Sequence, residues 1–449
     1  MRIRLAAVLL AVAFCAGMAV AAGDPAGPGR PLVLRGPSAN SPLLGLRYGR
    51  LDTWLVRLEP RTLETIPGRR LAVGRFLSGW SFSPDRSRLA FGSQGGPFND
   101  TPAALRIVDP ATLAIVRDVP LDMDGFVAVT HWVGPERLQA VVRSSSPEGD
   151  FALLVDAAEG RVLQRRPLDG SVAAIGRAKG ALVLLLEPPS RGPVSLAVAD
   201  DAGSVRSVEL ARIEAGRSLT EPPNSVLQHD RAGLAVDAAG NRAYVVAAGD
   251  PVAEVDLGSL ASAYHAPAQP VSLLGRLHDW AEPRAEAKEV LFRFARGAVW
   301  LGDGRFAVVG ANGTPSWNKG RLSVKSVPSG LQVIDTRSWS SRVIDPRSSE
   351  VAVARNALLS WGLSWDSAKG TQHGTGLTVF GSQGERRFHL FGTQLVWAAQ
   401  IVNGRAFVST QKLEHGYAVV SLATGRVLRT VRGVDVPLVL TGSGAPFYG

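Results

Sequence analysis

Cysteine is nearly absent from this chain: one residue, Cys15, in 449. That excludes a disulfide framework and any zinc site built on thiolates. Lysine is almost as scarce, at positions 179, 288, 319, 325, 369 and 412 only, although Lys and Arg together number 49 against 39 Asp and Glu. The surplus of positive charge is therefore carried by scattered arginines. No basic block with interleaved aromatics occurs, which excludes the footprint of a nucleic-acid-binding protein. Long apolar runs are missing beyond the N-terminus, so no later segment is long enough to cross a bilayer as a helix. With 45% hydrophobic and 20% charged residues the composition is that of a globular protein rather than a disordered or fibrous one.

The one uncharged run that stands out is Leu5 to Val20, preceded by Arg2 and Arg4 and followed by Ala21 and Ala22. This pattern reads as a cleavable secretory signal over residues 1–22, and the expected location is secreted or extracytoplasmic. Cys15 lies inside it, and Phe14 stands where an acylation signal carries a small residue, which argues against lipid anchoring. Removal of the signal leaves 47 basic against 39 acidic side chains. Residues 23–31 are a Pro/Gly linker, and 32–449 are read as a single domain.

What fills that domain is a weak repeat. Short β-rich runs separated by turn residues recur, clearly at 105–116, 152–163, 331–343 and 418–428, and more weakly at 54–66, 194–208, 252–264 and 377–388. Each reads as a hairpin. A further strand pair precedes most of them, as at 80–92, 233–246 and 298–309. The turns near residues 59, 109, 156, 200, 256, 335, 381 and 422 are 41 to 56 residues apart, with one interval of 79. Four strands per unit at this period is the pattern of a β-propeller blade. The expectation is an all-β propeller of seven or eight four-stranded blades. The long interval predicts an insertion around 265–293, where Leu273, Leu274, Leu277 and Trp280 have the spacing of a short helix. Asp109, Asp156, Asp256 and Asp335 recur at the turns, and their periodicity assigns them to turn chemistry.

The run Ser83-Pro84-Asp85 with Leu89-Ala90-Phe91, and the run Asn241-Arg242-Ala243-Tyr244-Val245-Val246, resemble the YVTN-type and WD-repeat-like propellers of secreted bacterial proteins over nearly the whole mature chain. The recurring Gly-His and Trp-Asp signature pair of true WD repeats is absent, Trp-Asp occurring once, at 365–366. The resemblance implies a fold and leaves function open, since this architecture hosts lyases, lactonases and pure binders.

In a four-stranded blade the loops between second and third strands project on one face. Those loops are long here, at 94–103, 310–330, 366–376 and 411–416. The face they form is the expected ligand surface, with Phe98, Asn99, Asp100, Asn312, Trp317, Lys319, Asp366, His373 and His415 as candidates. Trp317 is the candidate anchor, because an exposed aromatic buries a large area on a ligand. The plainer alternative is that these loops are tolerated insertions over the rim. The seven His show no metal spacing, and neither a nucleophile elbow nor a phosphate-cradling Gly loop occurs. No metal site and no cofactor are expected. The sequence is thus read as an exported, monomeric module that binds a small molecule, glycan or protein, and not as an enzyme. The alternative is a propeller lyase or lactonase with a polar or divalent-metal site at the channel mouth.

Overall fold

A computed structural model describes residues 43–48, 52–59, 63–74, 77–93, 103–144, 149–219, 227–266, 294–318, 321–354, 357–366, 369–381, 383–402, 404–413, 416–433 and 443–444. Among the described residues every regular element is a strand. The chain begins with a three-stranded sheet of β1 (Leu43–Tyr48), β2 (Thr53–Leu58) and β3 (Leu71–Ala72). Four antiparallel meanders follow. They are β4 (Leu77–Phe82), β5 (Leu89–Ser93), β6 (Ala104–Asp109) and β7 (Ala114–Pro120); then β8 (Phe126–Trp132), β9 (Arg137–Arg143), β10 (Phe151–Asp156) and β11 (Arg161–Pro167). The third consists of β12 (Ser171–Ala178), β13 (Ala181–Glu187), β14 (Gly192–Asp200) and β15 (Val205–Leu219), trailed by β16 (Leu227–Arg231). The fourth consists of β17 (Gly233–Asp237), β18 (Arg242–Val246), β19 (Val252–Asp256) and β20 (Ser262–His265).

The next region is woven differently. It contains β21 (Phe294–Gly302), β22 (Arg305–Asn318), β23 (Arg321–Pro328), β24 (Leu331–Asp335), β25 (Ser341–Asp345), β26 (Glu350–Ala354), β27 (Ala357–Asp366), β28 (Thr371–Gly381) and β29 (Arg386–Leu390). Here β23 pairs with both β22 and β27, and β16 pairs in parallel with β21, so one 14-stranded sheet runs from β12 to β29. A fifth meander, β30 (Val396–Val402), β31 (Arg405–Thr410), β32 (Gly416–Ser421) and β33 (Val427–Arg432), precedes β34 (Ser443–Gly444).

The fold is thus an all-β propeller, with five blades of four strands rather than the seven or eight expected, and with no helix among the described residues. The reason lies in what the period measures. A turn signal marks a hairpin, not a separate sheet. The turn near 59 belongs to the three-stranded sheet. The turns near 335 and 381 sit in strands that hydrogen bonding joins through β23 and β27. The insertion at 265–293 lies outside the described residues from 267 onward.

The turn aspartates do what their periodicity implies. Asp109 accepts the Ala111 amide, Asp156 those of Ala158 and Glu159, Asp256 those of Gly258 and Ser259, and Asp335 those of Arg337 and Ser338, all at 2.7–3.0 Å. Each turn then passes through a left-handed residue, Leu113, Gly160, Leu260 or Trp339.

Cores lie between successive sheets. Alternating apolar residues on the two faces of each sheet feed two different layers. Leu196 and Val198 pack with Leu234 and Val255, for example, while Leu184 and Ala197 pack with Val129 and Val141. Trp132 donates Nε1–H to the Ser81 carbonyl at 3.1 Å, so this strand tryptophan ties one blade to the previous one. Tyr244 stacks on Phe306 and Trp300 with centroids 5.2 and 5.4 Å away. The ring closes through one cluster that joins Leu43 and Leu55 to Leu89 and Phe91 on one side and to Phe407, Tyr417 and Val431 on the other. β34 adds itself to the free edge of β4.

Candidate functional site

Two ends of the ring can be told apart by their connections. At one end the first and second strands of each blade join through short turns such as 179–180. At the other end the second and third strands join, and the chain crosses to the next blade. The connections from β5 to β6 and from β9 to β10 belong to this second end. β22–β23 and β27–β28 form tall hairpins here, and the register sets Lys325 opposite Asp366, which is in turn opposite Thr371.

Four of the nine sequence-derived candidates fall on described strands at this end. Asp366 and Thr371 share a cross-strand row, and His373, two residues further, is opposite Ser364 on the same face. His373 is exposed; Asp366 is half-buried and accepts the Lys369 amide at 3.3 Å, with the Lys369 ammonium 3.7 Å away. Asn312 occupies β22 opposite Phe294, which lies beside Asp230 of β16. Trp317 is in β22 opposite Leu322, on a strand where a loop was expected. Phe98, Asn99, Asp100, Lys319 and His415 lie outside the described residues.

The structure adds a charged cluster that sequence reasoning missed. It is assembled at the same end from the close of β13, from β16, and from the starts of β21 and β26. His229 Nε2 is 2.7 Å from Glu187 Oε2, and Arg191 reaches Asp230 at 3.6 Å and Glu214 at 3.5 Å. Arg231 donates to the Ala173 carbonyl at 3.1 Å, at a bulge in β12. Arg296 donates to the carbonyls of Ala295 and Ala311. Burial lowers its guanidinium to about 10, opposed by the nearby Asp230 carboxylate. Glu350 is the first residue of an innermost strand. Burial pushes its carboxyl up to about 8, opposed by Arg231. It retains some exposed area while protein surrounds it, as expected for a group lining a narrow bore.

Glu187 is 5% exposed and Arg231 8%, so these are charges taken out of water, an arrangement that costs several kcal/mol per ion unless compensated. Two buried acceptors at this end, Glu187 Oε1 and Asn312 Oδ1, have no hydrogen-bond partner among the described residues. Trp397 stands at the same end, at a bulge in β30, and is 48% exposed. Together these groups offer donors, acceptors and an aromatic face to a polar molecule. Among the described residues no group of three or more His, Asp or Glu is close enough to hold a metal ion. The signal available in the sequence was slight: the run Gln228-His229-Asp230-Arg231 is strongly polar between two apolar strands, but nothing in it says that Glu187 or Glu350 is adjacent.

No family model matches the chain, and no curated protein matches it by sequence. Solved structures do match by shape. Dihydro-heme d1 dehydrogenase NirN is 14% identical, with 93% of this chain and 76% of that chain covered and a TM-score of 0.51. BamB from Moraxella catarrhalis is 11% identical over 79% of this chain and 87% of that chain, at a TM-score of 0.43. The periplasmic gluconolactonase PpgL of Pseudomonas aeruginosa is 17% identical over 90% and 97%, at 0.42. At such identities the likeness shows the propeller fold alone. The finer resemblance to YVTN-type repeats finds no family match. No helix among the described residues is long and apolar enough to cross a membrane.

Proposed function

We propose that this protein is an exported propeller that binds a small polar ligand at the end of the ring where the tall hairpins stand. The observation that carries the reading is the set of buried ionisable groups drawn from four strands to one mouth, with Glu187 Oε1 and Asn312 Oδ1 left without partners among the described residues. Structural ion pairs are normally satisfied within the fold, whereas preformed sites keep polar atoms for the ligand. The export half of the reading rests on residues 1–22, and N-terminal sequencing of the mature protein tests it. The binding half is tested by thermal unfolding against a panel of sugars, sugar acids and amino acids. A ligand at one hundred times its dissociation constant adds about 2.7 kcal/mol. The expected result is a midpoint rise in the wild type that Glu187→Gln and Asn312→Ala reduce. A rise left unchanged by both substitutions places the ligand elsewhere and defeats the reading.

A lyase or lactonase reading has one observation in its favour: a carboxyl held protonated near neutral pH beside an arginine is equipped to act as a general acid. Turnover of a sugar-acid lactone or uronide by the wild type, lost in Glu350→Gln, would select it over simple binding.

A further inference from the structure

The opposite end of the ring carries a second feature, independent of the mouth. Arg177 and His131 are each one residue from the end of an innermost strand, β12 and β8, next to the short turns. Strand alternation turns them toward each other. A Cβ on Gly176 would run into Val236 on β17, so Arg177 faces the other way, toward β8. Thr130 hydrogen-bonds Ser81 of β4 at 2.7 Å, so the next residue, His131, faces β12. The Arg177 guanidinium donates from Nη2 to the Thr130 carbonyl, but at 3.5 Å, the outer limit of such a bond. Its Nε is buried and has no hydrogen-bond partner among the described residues.

No carboxylate compensates this cation among the described residues. Burial lowers the pKa of Arg177, and the positive charge of Arg177 in turn acts on His131. Gln139, opposite His131 on β9, uses its amide NH2 on the carbonyls of Ala199 and Asp200, tying β9 to β14. An enclosed arginine whose Nε–H is unused, beside an Nη2 that makes only one long bond, keeps the Nε–Nη2 fork that carboxylates and phosphates fit in bidentate fashion. His131 is held neutral, with its pKa pushed down to about 4 by burial and by Arg177, and a neutral imidazole offers one N–H donor.

We propose that Arg177 and His131 form a binding site for a small oxyanion, a carboxylate or a phosphate, at the end of the ring remote from the charged mouth. The anion takes the Nε–Nη2 edge of Arg177 and one ring N–H of His131, and supplies the counter-charge that the surrounding strands lack. The test uses the full mature chain and two probes, sodium phosphate and sodium acetate, each titrated from micromolar to 10 mM at constant ionic strength in sodium chloride. The general stabilisation by phosphate as a salt is negligible at such concentrations. A saturable rise in the unfolding midpoint, with matching heat in calorimetry, is expected for at least one probe, and which probe gives it tells carboxylate from phosphate recognition. Arg177→Met abolishes the rise, His131→Leu weakens binding at least tenfold, and Arg296→Met at the mouth leaves it intact. Should Arg177→Met fail to fold, His131→Leu decides alone. No saturable response to either probe, or an equal response in wild type and variants, overturns the site.

Discussion

Replacing Glu350 by Gln separates two pictures of the charged mouth. In one, Glu350 is an ionised partner of Arg231. In the other, enclosure keeps it protonated, as its carboxyl at about 8 indicates. A carboxyl whose pKa is raised by folding makes the native state bind more protons than the unfolded chain. Stability from this group is then intact below the ordinary carboxylate value and falls as pH rises toward 8. Taking the shift from 4.5 to about 8 at face value, the loss by pH 7 is about 3 kcal/mol. Residual solvent access screens the group, so about 1–2 kcal/mol is the expected change. Glutamine keeps the size and hydrogen-bonding capacity and removes the titration. The assay is urea unfolding of wild type and Glu350→Gln at half-unit steps from pH 4.5 to 8.5. The two proteins should coincide near pH 4.5, and the variant should become progressively more stable as pH rises. A variant that is instead less stable at pH 8 than the wild type would show that Glu350 is ionised and paired with Arg231, and the argument from enclosure would fail.

The remaining predictions concern other strands. His131, with its pKa lowered to about 4, contributes stability that is complete above about 6.5 and lost as pH falls toward 4. His131→Gln should flatten that acid limb by up to about 3 kcal/mol, read from the same urea series. The opposing limbs of His131 and Glu350 place the wild-type optimum near pH 6, and a monotonic profile would contradict both assignments. Asp150, 2% exposed, accepts the amides of Ser144 and Val172 at 3.0 and 2.6 Å and so fixes a second-to-third-strand loop to the next blade. Asp150→Ala removes both bonds and should cost about 2–4 kcal/mol, measured by the urea midpoint. Gly310, with φ of 156°, begins the tall β22–β23 hairpin, and a Cβ there would fall on the Ala295 carbonyl oxygen. Gly310→Ala should destabilise by about 2–4 kcal/mol and shift amide signals of Asn312 and Arg296 before those of the β8–β11 blade.

The architecture was legible because propeller blades write themselves locally. Asp335 followed by Ser338 announces its own turn through short-range hydrogen bonds, and runs such as Ala181 to Leu186 are buried on both faces and read as strands without reference to anything distant. Which hairpins share a sheet is a different kind of information. The pairing of Lys325 with Asp366 joins residues 41 apart through one short ladder, and neither hairpin carries a mark that the other is its neighbour. The blade count failed at that point. The tall hairpins also explain why Trp317 and His373 looked like loop residues: Gly, Pro, Ser and Thr crowd both segments, yet strand pairing overrides those preferences once a partner edge is present.

The site was less legible than the fold for a related reason. A propeller gathers its functional groups from the starts and ends of strands in different blades, each supplying one residue. Glu187, Arg231, Arg296 and Glu350 are spread over more than 160 positions and belong to no motif. Each taken alone resembles an ordinary charged residue flanking an apolar strand, as Arg137 or Arg242 does. What distinguishes them is enclosure, which arises only when the innermost strands stand side by side around one axis. The inference from chain to chemistry therefore runs through the ring itself: burial raises the Glu350 carboxyl and encloses Arg177 with no counter-charge among the described residues, and both follow from where the strands begin and end rather than from the residues around them in sequence.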